Sequence, residues 1–135
     1  MAGKKRFPTV IARLVLAAAV LLTLSAQEVF QDTDPLILKA RRFLETMSRG
    51  DYQAAAANLD ETMLKLFGPA QMAEFWKEMP KRVGVFVRQT SARKEVLPPY
   101  DIVLIGCDFD KTSLDARVVF DKAGRITGFQ LVPSA

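Results

Sequence analysis

The side chains best suited to chemistry in this sequence are three carboxylates, Asp60, Asp101 and Asp108, and two phenols, Tyr52 and Tyr100. A carboxylate whose pKa is raised by burial, assisted by a tyrosine, can move a proton in the manner of an isomerase or dehydratase. Asp60 and Asp108 are the catalytic candidates on that reading. The sequence contains no histidine, which removes the commonest general base and metal ligand and excludes Ser-His-Asp and Cys-His arrangements. Each carboxylate also has a plainer role. Asp51 and Asp60 stand where helix caps belong, Asp101 lies at a strand start, and Asp108 and Asp110 alternate with Phe109 as outward residues would. The structural role is preferred, and no catalytic residue is assigned.

Binding chemistry is the next possibility. Tyr52, Trp76 and Phe86 could line a cavity and stack on an apolar ligand, although each aligns with an apolar stripe and fits core packing. Cys107 is the single cysteine; within an apolar strand it is expected to be an inert small hydrophobe, because reactivity needs exposure and an electropositive neighbour. Cys107 and Asp108 lack further ligands at metal-site spacing, and the seven glycines form no phosphate loop. No metal and no cofactor are expected.

These residues must be positioned by helices first and strands second. Asp34-Pro35 is a cap and first-turn pair, followed by Ile37, Ala40, Phe43, Leu44 and Met47 at helical spacing until Gly50. The Arg41-Arg42 pair reads as a solvated helix face. Asp51 opens a short helix through Tyr52, Ala55, Ala56 and Leu59, and Asp60 opens another through Met63, Leu64 and Phe67. After Gly68-Pro69, a fourth helix carries Met72, Phe75, Trp76, Met79 and Val83 on one stripe, with Pro80 expected to shorten it. Beyond Gly84 the period becomes strand-like: 85–96, 100–109, 114–121 and 126–132 read as four strands joined by short links. The order implies an α+β domain with N-terminal helices packed on a curved four-stranded antiparallel sheet. Val103, Ile105, Cys107 and Phe109 alternate with Ile102, Leu104 and Gly106, so both faces of that strand are apolar. A homodimer through the sheet, or cover from the chain's own terminus, would bury the second face.

Residues 1–26 have the layout of an export signal: Lys4, Lys5, Arg6 and Arg13, then the apolar run from Leu14 to Leu22, then Leu24-Ser25-Ala26. The run is shorter than the roughly 20 residues of a spanning helix, so a cleaved signal is expected, with no stable membrane anchor afterwards and a periplasmic or secreted product. The segment carries four of the 19 Lys and Arg and none of the 15 Asp and Glu. The remainder balances at 15 against 15, which argues against nucleic-acid binding by electrostatics. Residues 27–33 read as a flexible leader and 34–135 as a single domain.

The spacing of particular residues is familiar. Phe43 with Gly50-Asp51-Tyr52, Ala55, Leu59-Asp60, Met63, Trp76, Gly84 and Phe86 resembles the N-terminal half of the family catalogued as domain of unknown function 3887. Tyr100-Asp101-Ile102-Val103, Cys107-Asp108-Phe109 and Val118-Val119-Phe120-Asp121, followed by Gly124, Ile126 and Gly128, resemble its second half. The resemblance implies the nuclear-transport-factor-2-like (cystatin-like) superfamily, a cone of helices on a bent sheet with a cavity at the wide end. Its members include isomerases, dehydratases, ligand binders and dimerisation modules, so the fold decides little about activity. In some relatives the domain precedes a hydrolase, and the resemblance carries no hydrolytic activity to these residues. The expectation is an exported, non-catalytic domain that binds a small apolar ligand or an envelope protein. A carboxylate enzyme and a homodimerisation scaffold are the alternatives.

Overall fold

The computed structural model describes residues 33–134. The export signal expected at residues 1–26, and the leader apart from Thr33, lie outside the described residues. One compact unit spans Pro35–Ala135. Its helices are α1 (Pro35–Ser48), α2 (Tyr52–Ala56), α3 (Glu61–Leu66) and α4 (Pro69–Arg82). They are followed by β1 (Phe86–Leu97), β2 (Tyr100–Phe109), β3 (Ser113–Phe120) and β4 (Ile126–Pro133).

The helix boundaries follow from local chemistry. α1 buries Ile37, Ala40, Phe43, Leu44, Thr46 and Met47. It stops at Gly50, whose φ of 82° is one that a residue with a Cβ rarely adopts. Gly50 N–H donates to Met47 O and Asp51 N–H to Thr46 O, satisfying the orphan carbonyls of the last turn. The Asp51 carboxylate then accepts from Ala54 N to start α2, and that of Asp60 accepts from Met63 N at 2.8 Å to start α3. Pro80, expected to shorten the fourth helix, lies inside α4, which runs on to Arg82. So near the C-terminal end, the missing proline donor disturbs little beyond the final turn.

The strands form one open antiparallel sheet in the order β1-β2-β3-β4. Val103, Ile105, Cys107 and Phe109 join Ala116, Val118, Phe120 and Ile126 and the helix stripes in the core. In β1, Thr90 and Ser91 together oppose the single Gly106, since Gln89 pairs with Cys107 and Ala92 with Ile105. This bulge bends the strand. A Cβ at Gly106 would come within 2.3 Å of Thr90 Oγ1, so the bulge and the glycine belong together. Arg41 holds the bulge to α1: its guanidinium donates to Gln89 Oε1 at 3.2 Å and Thr90 O at 2.9 Å, while Gln89 Nε2 donates back to Arg41 O at 2.9 Å. Arg41 is therefore a packing residue, contrary to the solvated-face reading of the pair, and only Arg42 is exposed.

On the opposite sheet face Ile102 and Leu104 are 3% and 6% exposed. The Arg93–Asp115 ion pair, at 3.2 Å, crosses β2 there, because Arg93 opposes Leu104 and Asp115 opposes Gly106.

Candidate functional site

α3 is suspended from the start of β4. Asp60 N–H donates to Ile126 O and Ile126 N–H to Asn58 O, both at 2.9 Å, around a parallel bridge between Leu59 and Ile126. This attachment lays Met63, Leu66 and Phe67 along the flank of β4. Phe67 lies 5.6 Å from Phe129 with the planes at 23°, a stacked pair joining the helix layer to the edge strand.

A line of rings extends from that pair. Phe129 meets Phe43 at 5.6 Å and Phe75 at 5.8 Å, both edge-on. Phe75 continues to Trp76, Trp76 to Phe86, and Phe86 to Phe109, at 5.9, 5.7 and 5.6 Å. The edge-to-face arrangement brings the positive rim of one ring to the negative face of the next. Phe43 and Phe109 are buried, whereas Phe67, Phe75, Trp76, Phe86 and Phe129 are half-buried, so the line grades from core to surface.

Two clefts open where the line surfaces. Between α3 and β4 a cleft of about 450 Å³ is lined by Met63, Leu66, Phe67, Arg117, Gly128, Phe129 and Gln130. Phe67 also borders a cleft of about 360 Å³ along α4, with Phe75, Met79, Glu74, Glu78 and Arg82 among its walls. A third, of about 370 Å³, lies between Pro99-Tyr100 and Asp121-Lys122-Ala123 at the hairpin tips. The first combines four apolar side chains with the polar Arg117 and Gln130 and the Gly128 backbone, a mixture that a small-molecule site can have.

The residues singled out from sequence are dispersed around this cleft. Trp76 and Phe86 touch each other in the ring line, and Tyr52 packs partly buried against the core from α2. None of the three lines the clefts above. The Trp76 indole N–H is buried with no hydrogen-bond partner.

Asp60 caps α3, and a hydrogen bond from Thr127, the Met63 amide and the nearby Arg125 charge together hold its pKa below the ordinary carboxylate value. A proton-transfer base that works near neutrality needs the opposite shift. Asp108 is 3.0 Å from Arg88 Nε and accepts from Ser113 Oγ at 2.8 Å. Asp60 sits beside Ile126, whose partner is Phe120, and Asp108 sits opposite Ser113. The length of β3 separates them, roughly 25 Å at the usual strand rise, so no single substrate brings them together. Asp101 is half-buried opposite Phe120, and Tyr100 is exposed at the sheet tip. Cys107 is buried, which pushes its thiol up to about 11.

The cleft residues Phe67, Arg117 and Phe129 were not singled out from sequence. Phe67 and Phe129 lie far apart in the chain, and Arg117 reads as an ordinary outward residue between Ala116 and Val118. Its position in a strand otherwise rich in apolar residues is the signal that could have drawn notice. Among the described residues no group of three or more His, Cys, Asp or Glu is placed to hold a metal, and no helix is long and apolar enough to cross a membrane.

The family model described as "Protein of unknown function (DUF3887)" matches residues 40–129. No curated protein and no solved structure matches the chain.

Proposed function

The chain belongs to the DUF3887 family, and on that premise we propose that it is an exported, non-catalytic domain of the nuclear-transport-factor-2-like type that holds a small apolar ligand in the α3–β4 cleft. The cleft itself is the supporting observation: four of its side chains, Met63, Leu66, Phe67 and Phe129, are apolar, and two of those are a stacked aromatic pair. Leu66 is 70% exposed at its lip. Covering a leucine side chain that water would otherwise surround contributes roughly 1.5–3 kcal/mol when complete.

The carboxylates support binding over catalysis. Asp60 is engaged as a helix cap and Asp108 as an ion-pair partner, so each has structural work that proton transfer would disrupt. Export rests on the basic and apolar layout of residues 1–26.

The test is native mass spectrometry of the protein recovered from the exported fraction of its host. The expected species starts near Gln27 and carries extra mass that is lost on denaturation. A mass retaining Met1 would overturn export with cleavage. A bare species at every activation energy would overturn ligand retention, and a bare dimer would favour the scaffold alternative.

A further inference from the structure

The α3–β4 cleft has a cationic end whose charge is left unbalanced by the protein. Arg117 extends from β3 on the face away from the core, where its cross-strand neighbours are Leu104 on β2 and Gln130 on β4. It is half-buried and lines the cleft. The acids of that sheet face are committed elsewhere. Asp115 is held by Arg93 and Ser134, both at 3.2 Å, Glu95 lies 3.7 Å from the same Arg93, and Asp108 is held by Arg88 and Ser113. Among the described residues, Arg117 makes no ion pair and no hydrogen bond.

An arginine cannot shed its proton to relieve this situation. The Arg117 guanidinium nitrogens are not buried, so its donors face solvent at the cleft and are open to an incoming anion. Its planar fork suits the two oxygens of a carboxylate or a phosphate, which it can hold through paired hydrogen bonds. The adjoining Gln130 amide adds a neutral donor and acceptor at the same end. The rest of the lining, Met63, Leu66, Phe67 and Phe129, offers hydrocarbon and aromatic surface, with Phe129 on the core face of β4 and Arg117 on the other face of the sheet.

We propose that the ligand of this cleft is an amphiphilic monoanion, a hydrocarbon body carrying one carboxylate or phosphate head that is bound by Arg117. The inference rests on the binding function proposed above and narrows it to a chemical class. Cationic amphiphiles are repelled, and neutral ones leave Arg117 without its partner.

Isothermal titration of the purified protein with octanoate, octyl phosphate and 1-octanol separates the two levels. Octanoate or octyl phosphate is expected to bind at least ten-fold more tightly than 1-octanol, and the tighter of the two anions identifies the head group. Arg117→Gln is expected to bring the anions to the affinity of 1-octanol while leaving 1-octanol itself unchanged. Arg117→Lys, which keeps the charge and loses the fork, is expected to fall between. If 1-octanol and the anions bind wild type equally, or if Arg117→Gln binds the anions as well as wild type does, the anionic class is overturned while the apolar cleft stands. If none of the three binds, both the cleft function and the ligand class fall. Leu66→Asp checks location: it sets an acid at the cleft lip and is expected to weaken the anions more than 1-octanol, and equal binding of the anions to this variant and to wild type would place their site elsewhere.

Discussion

Phe129 is the residue through which the helix layer is joined to the edge strand, and replacing it tests whether the ring line is a cooperative structure or simply filled space. Phe129→Leu keeps most of the apolar volume and removes three ring contacts, with Phe43, Phe67 and Phe75, at 5.6, 5.6 and 5.8 Å. Aromatic pairs of this geometry contribute about 0.5–1.5 kcal/mol each beyond their buried area. Phe129 is half-buried, and leucine recovers part of the contact, so the expected loss is about 2 kcal/mol. For a domain of this size that lowers Tm by about 10 °C. The decisive measurement is a double-mutant cycle with Phe75→Leu, read by denaturant unfolding. The 75° edge-on pair predicts a coupling of about 1 kcal/mol. Phe129→Leu with Phe109→Leu is the control, because three rings intervene between them. That pair should be additive within about 0.5 kcal/mol. A coupling near zero for Phe75, or an equal coupling for Phe109, would refute the idea that individual ring contacts carry the junction.

Asp60→Ala should cost about 1 kcal/mol at neutral pH through loss of the α3 cap, whereas Asp60→Asn, which can still cap, should cost less. The folded pKa of Asp60 lies below its unfolded value, so its contribution is present above about pH 4 and lost as pH falls through the folded pKa. A deficit for the alanine variant that persisted undiminished in strong acid would contradict this. Cys107 should resist iodoacetamide in the native protein and react once unfolded. Because its thiol is raised to about 11, its contribution is intact below the ordinary thiol pKa and lost as pH rises toward that value. The loss is on the order of 3 kcal/mol for two pKa units, and Cys107→Ala should flatten this alkaline decline. Rapid native labelling would show that the strand opens easily.

The parts of the fold legible in sequence are those governed by neighbouring residues. Gly50, Asp51, Asp60 and Pro69 mark helix ends through local hydrogen bonding and backbone preference, and the strands fall within a residue of the boundaries that alternation indicates. What escaped depends on contacts between distant segments. Arg41 looks like an outer-face arginine until the β1 bulge supplies acceptors, and the bulge is specified by crowding between Thr90, Ser91 and Gly106 rather than by any one of them. Trp76 and Phe86 were recognised as aromatic candidates, yet the cleft is built by Phe67 and Phe129, whose stacking depends on the suspension of α3 from β4. Arg117 is conspicuous only once the partners of Asp115, Glu95 and Asp108 are known.

The placement of Phe129 and Ile126 in the last strand has a consequence for how the molecule assembles. Consecutive strands pair in order, so each hairpin closes a short loop and the sheet can grow in sequence, which favours rapid folding. The helices, however, present Phe43, Phe67 and Phe75 to a ring that arrives only with β4, and α3 is anchored through Ile126 on the same strand. A chain emerging N-terminus first therefore carries its aromatic helix faces uncovered until the residues of β4 are available. Completion of the C-terminal strand is the event that seals them, and any factor that delays β4 prolongs the interval in which those faces can meet other chains.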